Sequence, residues 1–237
     1  GPTVGLSLSE TASLETTPGG NDETTTGDGN KTVVAGSGSD EVTYGLGNHI
    51  VIGDNGQIQY SGGIPTIFQT TGGSGGGDQI NLGSGNNVVL GGLGGDQIRT
   101  ASGQDVILGD NGRVDSFGNL DALRLEDIIS TDLSAGGNDV ITTGNGYKTV
   151  VGGVGADDVT AGVGNHVVVG DNGHIVYVSG NPDTFETIAG IGGDDEIDLG
   201  NGTNVVLGGM GGDQITTDNG LDVIVGDNGR VNSFGPL

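Results

Sequence analysis

The sequence predicts an all-β fold, a parallel β-solenoid of short stacked strands, and three observations support this prediction. Glycine and β-branched residues recur with a period of nine. The whole pattern repeats after 117 residues without a gap. Aliphatic residues are regularly spaced, although 54 of the 237 residues are Gly and the formal net charge is −25. Low hydrophobicity with high charge is typical of disordered chains, so the regular aliphatic spacing is what indicates a packed core.

The composition also restricts the classes of partner and cofactor. The chain has no Cys, which excludes disulfides and thiolate metal sites. It has 6 Lys and Arg against 31 Asp and Glu, so we expect neither nucleic acid nor an anionic membrane as a partner. We find no signal peptide and no apolar run of membrane-spanning length, and we expect no membrane insertion. An acidic surface of this kind attracts cations.

Two long repeats make up the chain. The motifs GGND, GDNG and GGDQI begin at Gly19, Gly53 and Gly94, and each recurs 117 residues later. The leader LSLSE at residues 6–10 aligns with LRLED at residues 123–127. We therefore divide the chain into residues 3–119 and 120–237, and we interpret it as part of a longer tandem array. Gly1 and Pro2 are interpreted as a remnant of protease cleavage.

Each long repeat contains two blocks of five nine-residue rows. The blocks span residues 18–62, 74–118, 135–179 and 191–235. The first four rows of each block follow G-x-G-x-D-x-U-x-x, in which U is Val, Ile or Thr. Nine residues are too few for a helix and its loop, so a row predicts a tight turn and a short strand. Stacked rows of this kind pair their backbones with the next coil and form a solenoid.

Three rows carry a resemblance to a known family. The strings GGLGGDQIR, GGVGADDVT and GGMGGDQIT, at residues 91–99, 152–160 and 208–216, resemble the G-G-x-G-x-D-x-U-x nonapeptide of the repeats-in-toxin (RTX) family. The resemblance covers the four blocks. It implies a parallel β-roll with two rows to a coil and several Ca²⁺ ions in the turns between successive coils. Glycines would turn carbonyl oxygens toward the ion, Asp would supply charge, and U would point inward.

The candidate calcium ligands follow from this pattern. Twelve lie in rows one, three and five: Asp22, Asp40, Asp54, Asp78, Asp96, Asp110, Asp139, Asp157, Asp171, Asp195, Asp213 and Asp227. Two more, Asp105 and Asp222, lie in row four of the second and fourth blocks. The remaining row-two and row-four positions hold Lys31, Asn87, Lys148, Asn204, His49 and His166.

The substitutions predict one calcium-bearing side. Rows one, three and five are expected on one face of the roll, and rows two and four on the other. Lys31 and His49 cannot ligate Ca²⁺, so the second face is expected to be poor in sites, with a weaker site where Asn87 meets Asp105. The segments at residues 63–73, 119–134 and 181–190 carry apolar residues. We predict that each adds a sixth, bulged half-turn and keeps the roll continuous, with about three coils per block. A helix over residues 120–130 is the alternative, and a disordered linker is less expected.

Calcium is expected to control folding. Burial of the U residues alone does not clearly offset the ordering of so glycine-rich a chain, and the carboxylates repel one another. Binding at a site that is absent from the unfolded chain adds directly to folding free energy. The prediction is a largely disordered chain without Ca²⁺ and a rigid roll with it. Millimolar calcium is extracellular, which fits the type I secretion that the resemblance implies.

The leading functional interpretation is a non-enzymatic stalk or extender module of a large secreted bacterial surface or matrix protein. His49 and His166 fill equivalent slots, which favours turn residues over catalytic ones, and His174 is interpreted as a solvated loop residue. One alternative is a flat face that binds polysaccharide or ice, suggested by Thr32, Thr149, Thr43 and Thr160. Another is an accessory roll beside a toxin or hydrolase domain. End-to-end self-association is a further expectation, because open solenoid ends present unpaired strand edges.

Overall fold

The computed structural model describes residues 8–14, 19–118, 120–122 and 124–232. These residues are all-β, with 53 % in strands, and the 24 strands are numbered β1 to β24 in chain order. They form three eight-stranded sheets, two parallel and one antiparallel. The helical structure in this part of the chain is a single 3-10 turn at Leu120–Ala122. The predictions made for Gly1, Pro2, Leu6, Ser7, Pro18, Asn119, Leu123 and residues 233–237 fall outside the described residues.

Rows one to four of the blocks form the two parallel sheets, because their short β-branched stretches alternate between them. Odd rows form the outer sheet, whose strands in spatial order are β2 (Glu23–Thr26), β4 (Glu41–Tyr44), β8 (Gln79–Leu82), β10 (Gln97–Thr100), β14 (Val140–Thr143), β16 (Asp158–Ala161), β20 (Glu196–Leu199) and β22 (Gln214–Thr217). Even rows form the central sheet: β3 (Lys31–Val34), β5 (His49–Ile52), β9 (Val88–Leu90), β11 (Asp105–Leu108), β15 (Lys148–Gly153), β17 (His166–Asp171), β21 (Val205–Gly209) and β23 (Val223–Asp227).

The U positions are aligned along the outer sheet. Ile80 pairs with Ile98, and Ile98 pairs with Ile141 across the junction of the two long repeats. All three side chains are fully buried. In-register parallel pairing thus stacks one aliphatic side chain per coil, as the nine-residue row predicts.

The central sheet is buried on both faces. Val51 and its counterparts pack against the outer sheet, in a cluster with Val42 and Ile80. Ile50 and Ile52 point the other way and pack against the antiparallel sheet, in a cluster with Phe68. This explains why the even rows read as continuous apolar runs such as HIVI, whereas the odd rows alternate.

The third sheet corrects the prediction for row five and for the inter-block segments. Row five does not join the sheet of rows one and three. It begins a hairpin whose second strand is the inter-block segment. The antiparallel sheet contains β1 (Glu10–Ala12), β6 (Gly56–Ser61), β7 (Ile64–Thr70), β12 (Gly112–Phe117), β13 (Arg124–Ser130), β18 (Gly173–Val178), β19 (Asn181–Thr187) and β24 (Arg230–Asn232). Each block therefore contributes two strands to each parallel sheet and one strand to the third sheet, and not the three coils predicted.

The hairpins keep the parallel sheets continuous by returning the chain to the outer sheet, where β8 pairs directly with β4. Gly62 and Gly63 both have positive φ, at 60° and 80°, as do Ser179 and Gly180, at 55° and 77°. Two-residue turns of this kind match the twist of antiparallel strands. The alternative of a helix over residues 120–130 is wrong, since Arg124–Ser130 is a strand. Among the described residues, no helix is long and apolar enough to cross a membrane.

Candidate metal sites

Eight aspartates from rows one and three form a continuous column where the outer-sheet strands begin. We call this column the acidic ladder: Asp22, Asp40, Asp78, Asp96, Asp139, Asp157, Asp195 and Asp213. The backbone N–H of each donates to the Oδ1 of the next, at 2.7–3.1 Å. The strand register places one carboxylate in each coil, and the hydrogen bond fixes its orientation. The ladder passes through the junction of the long repeats without a break.

The second carboxylate oxygen of the ladder is left without a partner. The Oδ2 atoms of seven members are buried and accept no hydrogen bond from any described residue: Asp40, Asp78, Asp96, Asp139, Asp157, Asp195 and Asp213. Five of these residues are at most 2 % exposed, so water does not solvate them. A buried carboxylate oxygen without a donor is costly unless a cation or a proton satisfies it.

A column of glycines faces these oxygens. Gly53, Gly91 and Gly109 follow the central strands, and each is adjacent to one ladder carboxylate. An ideal Cβ on Gly53 would lie 2.6 Å from the carbonyl oxygen of Gly91 and would overlap the Oδ2 of Asp78. Glycine is required here because the space of a side chain is taken by a carboxylate and a carbonyl oxygen. The same relation recurs at Gly152, Gly170 and Gly208.

Burial and neighbouring charge make the ladder resist ionisation. Burial, together with the neighbouring carboxylates of Asp139 and Asp78, raises the pKa of Asp96 to about 10. Burial likewise raises the pKa of Asp157 to about 9 and that of Asp139 to about 8. Backbone N–H donors to these groups act in the opposite direction but do not prevail. The ladder can therefore be fully ionised at neutral pH only when positive charge from outside the chain pairs with it.

The row-five aspartates are used differently. Asp54 accepts from the backbone N–H groups of Gly76 and Leu93, which belong to the two following coils. Asp110 and Asp171 repeat this arrangement in the next blocks. A Cβ on Gly92, which has φ +120°, would overlap Asp54. These carboxylates hold turns together through amide donors. Their predicted role as calcium ligands, and that of exposed Asp227, stays a prediction.

The corresponding column of the central sheet has a different composition. We call it the mixed ladder: Lys31, His49, Asn87, Asp105, Lys148, His166, Asn204 and Asp222. Part of the hydrogen-bond pattern is preserved, since the N–H of Asn87 donates to Asp105 Oδ1 and that of Asn204 donates to Asp222 Oδ1. The column contains two Lys and two Asp, so its formal charge is zero with neutral His, against −8 for the acidic ladder.

A lysine supplies the cation of the mixed ladder. Lys148 and Asp105 are both fully buried, and Nζ lies 2.6 Å from Oδ2. The same ammonium donates to the carbonyl oxygens of Gly103 and Ala101, at 2.8 and 3.4 Å. Lys31 likewise donates to the carbonyl oxygens of Asp28 and Gly29, at 2.8 and 2.6 Å. Ammonium groups thus bind the turn carbonyls of this column. Asp105, predicted as a weaker calcium ligand, is paired with a lysine.

Histidines hold two further turns of the mixed ladder. The Nε2 of His49 donates to the carbonyl oxygen of Gly45 at 3.0 Å, and that of His166 donates to Gly162 at 2.9 Å. Burial lowers the pKa of both imidazoles. His174, interpreted from sequence as a solvated loop residue, instead lies half-buried on strand β18. It contacts Asp127 at 2.7 Å and Glu186 at 3.2 Å.

The acidic ladder suits a hard cation. It offers carboxylate and carbonyl oxygens, which are the ligands that calcium prefers. It offers neither Cys nor His, which are the ligands that zinc and copper prefer. In the described part of the chain, no three His, Cys, Asp or Glu side chains group as a metal site. An ion at the ladder would therefore complete its shell with backbone carbonyls and water.

Comparison of the chain with family models, with curated proteins and with solved structures finds no match.

Proposed function

We propose that this chain is a calcium-dependent structural module with a β-roll of the RTX type. The observation that carries the proposal is the acidic ladder, with seven buried, unpartnered Oδ2 atoms, six of them beside a glycine and a glycine carbonyl oxygen. Structural ions, and not a catalytic metal, are the natural use of so many equivalent oxygens. A repeated site also argues against an enzyme, in which one acid and one base suffice.

Calcium would act as the folding ligand. The ladder carboxylates are destabilising while ionised and unpaired, so a divalent cation stabilises the folded chain and not the unfolded one. Extracellular modules bind with Kd of about 10⁻⁴–10⁻³ M, matched to millimolar calcium outside the cell. The module would fold after secretion and serve as a stalk or extender of a bacterial surface or matrix protein. The 117-residue tandem repeat supports a spacing role.

A calcium titration tests the proposal. The chelated chain is titrated with Ca²⁺ and separately with Mg²⁺, while far-ultraviolet circular dichroism and the scattering radius are recorded. We expect a cooperative gain of β-structure and compaction with Ca²⁺ at sub-millimolar to millimolar concentration, but not with Mg²⁺, which demands a tighter shell. A chelated chain that is already folded, and unmoved by calcium, would contradict the proposal.

A pair of variants locates the effect on the acidic ladder. Asp96→Asn removes a buried charge and keeps an oxygen that can accept from Asp78. Asp158→Asn removes an exposed charge from β16, two strands further along the outer sheet. We expect the calcium midpoint to rise for Asp96→Asn and to stay unchanged for Asp158→Asn. Equal midpoints in the two variants would separate calcium binding from the ladder.

Polysaccharide binding remains a second candidate function because of one cavity. A cavity of about 200 Å³ at the repeat junction is lined by Tyr147, Tyr177, Gln104 and Asn181, among others. Aromatic and amide side chains together suit a sugar ring with its hydroxyl rim. The alternative of a threonine-lined binding face gains less support, because Thr149 is fully buried and its hydroxyl forms a hydrogen bond with that of Tyr177. Saturation-transfer NMR with a panel of monosaccharides tests the cavity. Absence of saturation transfer to every sugar would remove this candidate.

A further inference from the structure

The outward face of the antiparallel sheet carries three titratable side chains that the proposed function does not use. His174 on β18 lies between Asp127 on β13 and Glu186 on β19. The Nε2 of His174 is 2.7 Å from Oδ1 of Asp127, and its Nδ1 is 3.2 Å from Oε1 of Glu186. We call these three residues the histidine clamp. It connects the β12–β13 hairpin to the β18–β19 hairpin.

The geometry of the histidine clamp depends on a proton. Both ring nitrogens of His174 face a carboxylate oxygen. A neutral imidazole has one N–H donor and one acceptor lone pair, so it donates to one carboxylate and turns a lone pair toward the other. An imidazolium has two N–H donors and a positive charge. Both contacts are therefore favourable at once only in the doubly protonated ring.

The first long repeat has a different group at the same place. The residues 117 positions earlier are Gln57, Glu10 and Gln69, which we call the amide triad. The side chain of Gln57 donates to the carboxylate of Glu10 and accepts from the amide of Gln69, the latter at 3.0 Å. One amide thus connects β1, β6 and β7 with a donor and an acceptor, neither of which titrates. The second long repeat has His174 in place of this neutral link.

Arginines lie on the far sides of the two carboxylates of the histidine clamp. Arg230 on β24 is 3.6 Å from Oε2 of Glu186. Arg113 on β12 pairs with Asp115 at 2.7 Å. The carboxylate of Asp115, and to a smaller extent that of Asp127, raises the pKa of Arg113. The carboxylates keep these cationic neighbours when the imidazole is neutral. The part of the clamp that responds to pH near neutrality is therefore the ring.

We propose that the histidine clamp is a proton-sensitive link between the two hairpins. The doubly protonated ring holds β13, β18 and β19 together, and the neutral ring gives up one of the two contacts. Since the contacts favour the protonated form, the link is strongest on the acidic side of neutrality and weakens as pH rises through the histidine range. This inference depends on the clamp alone, and not on calcium at the acidic ladder.

Amide hydrogen exchange of β18 between about pH 5.5 and pH 8 tests the proposal. The matched control is His174→Gln with Glu186→Gln, which gives the second long repeat the two amides of the first. The ratio of the two exchange rates removes the intrinsic pH dependence of exchange. Amides of the buried strand β9 in the same samples correct for any difference in global stability.

Near pH 5.5 the β18 amides of the parent are expected to exchange roughly two- to fivefold more slowly than those of the control. This protection should decrease as pH rises. A ratio that does not change with pH would overturn the proposal. The measurement needs only a folded chain, so its result is valid whether or not calcium is the ligand that folds it.

Nitrogen-15 NMR of the imidazole rings identifies the responsible group. The single variant His174→Gln removes one of three histidine signals and so assigns it. We expect the His174 ring to lose its second proton at the same pH at which the exchange ratio changes. An exchange ratio that changes where this ring does not titrate would assign the effect to another group and overturn the proposal.

Discussion

The acidic ladder and the mixed ladder occupy equivalent positions in neighbouring sheets, yet they solve the same electrostatic problem in different ways. Both columns use a side-chain oxygen to accept the N–H of the preceding coil. In the acidic ladder every position is Asp, and the remaining oxygens have no partner among the described residues. In the mixed ladder Lys148 neutralises Asp105 from within the chain.

The difference teaches that turn carbonyls of this fold need positive charge, but that the charge need not be a metal ion. An ammonium group bound to Gly103 and Ala101 takes the part that an external cation would take. We therefore expect the stability of the acidic ladder to depend on solution conditions, and that of the mixed ladder to be independent of them. Four predictions test this contrast, from the largest effect to the smallest.

Loss of the internal cation should have the largest effect. Lys148→Met leaves Asp105 buried without a counter-charge and is expected to lower the free energy of unfolding by about 3–5 kcal/mol. Urea unfolding in saturating calcium measures it. Lys31→Met, at the edge of the same sheet, is the matched control and should cost no more than about 1 kcal/mol. A Lys148→Met chain as stable as the control would mean that the buried pair is not what holds this column.

The effect on stability of removing one charge from the acidic ladder should change sign when calcium is added. In chelator at pH 8, Asp139→Asn is expected to stabilise the chain by about 1–3 kcal/mol, because it removes an unpaired buried carboxylate and keeps the acceptor for Asp96. In saturating calcium the same variant is expected to be less stable than the parent. The folded fraction in chelator, from circular dichroism, and urea unfolding in saturating calcium measure the two effects. A variant that is destabilised equally in both would contradict the contrast.

The pH dependence of the chelated chain follows from the raised pKa values. Asp78 and Asp139 have folded pKa values of about 8, and Asp195 of about 7, all above the unfolded value of 3.8. Protons therefore bind the folded form more tightly, and the stabilisation is fully present below about pH 4. It is lost as pH rises through 7 to 8, and through about 10 for Asp96.

The folded fraction of the chelated chain between pH 4 and pH 9, followed by circular dichroism, measures this dependence. Saturating calcium should reverse it, since protons compete with the ion for the same oxygens. A folded fraction that rises with pH in chelator would show that the ladder carboxylates are not the controlling groups.

The smallest effect is expected at a histidine of the mixed ladder. His166→Gln keeps an N–H donor near the carbonyl of Gly162 and should cost about 0.5–1.5 kcal/mol. The calcium midpoint should rise only as far as this loss of stability requires, because the change lies outside the acidic ladder. Calcium titration of the variant by circular dichroism, beside urea unfolding in saturating calcium, checks this. A larger shift of the midpoint would mean that the two ladders are coupled.

The nine-residue period was sufficient to predict much of the fold. It predicts short strands, aligned U residues such as Ile98 and Ile141, and the separation of odd rows from even rows into two sheets. These features depend on local spacing and on the rule that parallel strands stack in register. The column of Asp residues was predictable for the same reason. That its members bind calcium stays a prediction.

Row five was predicted wrongly because its odd position in the block was given more weight than its residue pattern. The stretch GQIQYS alternates between buried and partly buried positions, as a longer amphipathic strand does. It is followed by Gly62 and Gly63, a two-residue hairpin signal. The buried Lys148–Asp105 pair was not predictable from spacing alone, because these residues are 43 apart and meet only through the hairpin between them.

The stacking of coils also determines how the module would respond to tension. The ladder hydrogen bonds run along the stack, so a force applied between its two ends breaks them one after another. Ladder neighbours are separated by 18 residues within a block and by 38 or 43 residues across a hairpin. At full extension these segments release ~60, ~130 and ~150 Å of chain. The module would therefore lengthen in alternating short and long steps, and each step would dissipate mechanical energy.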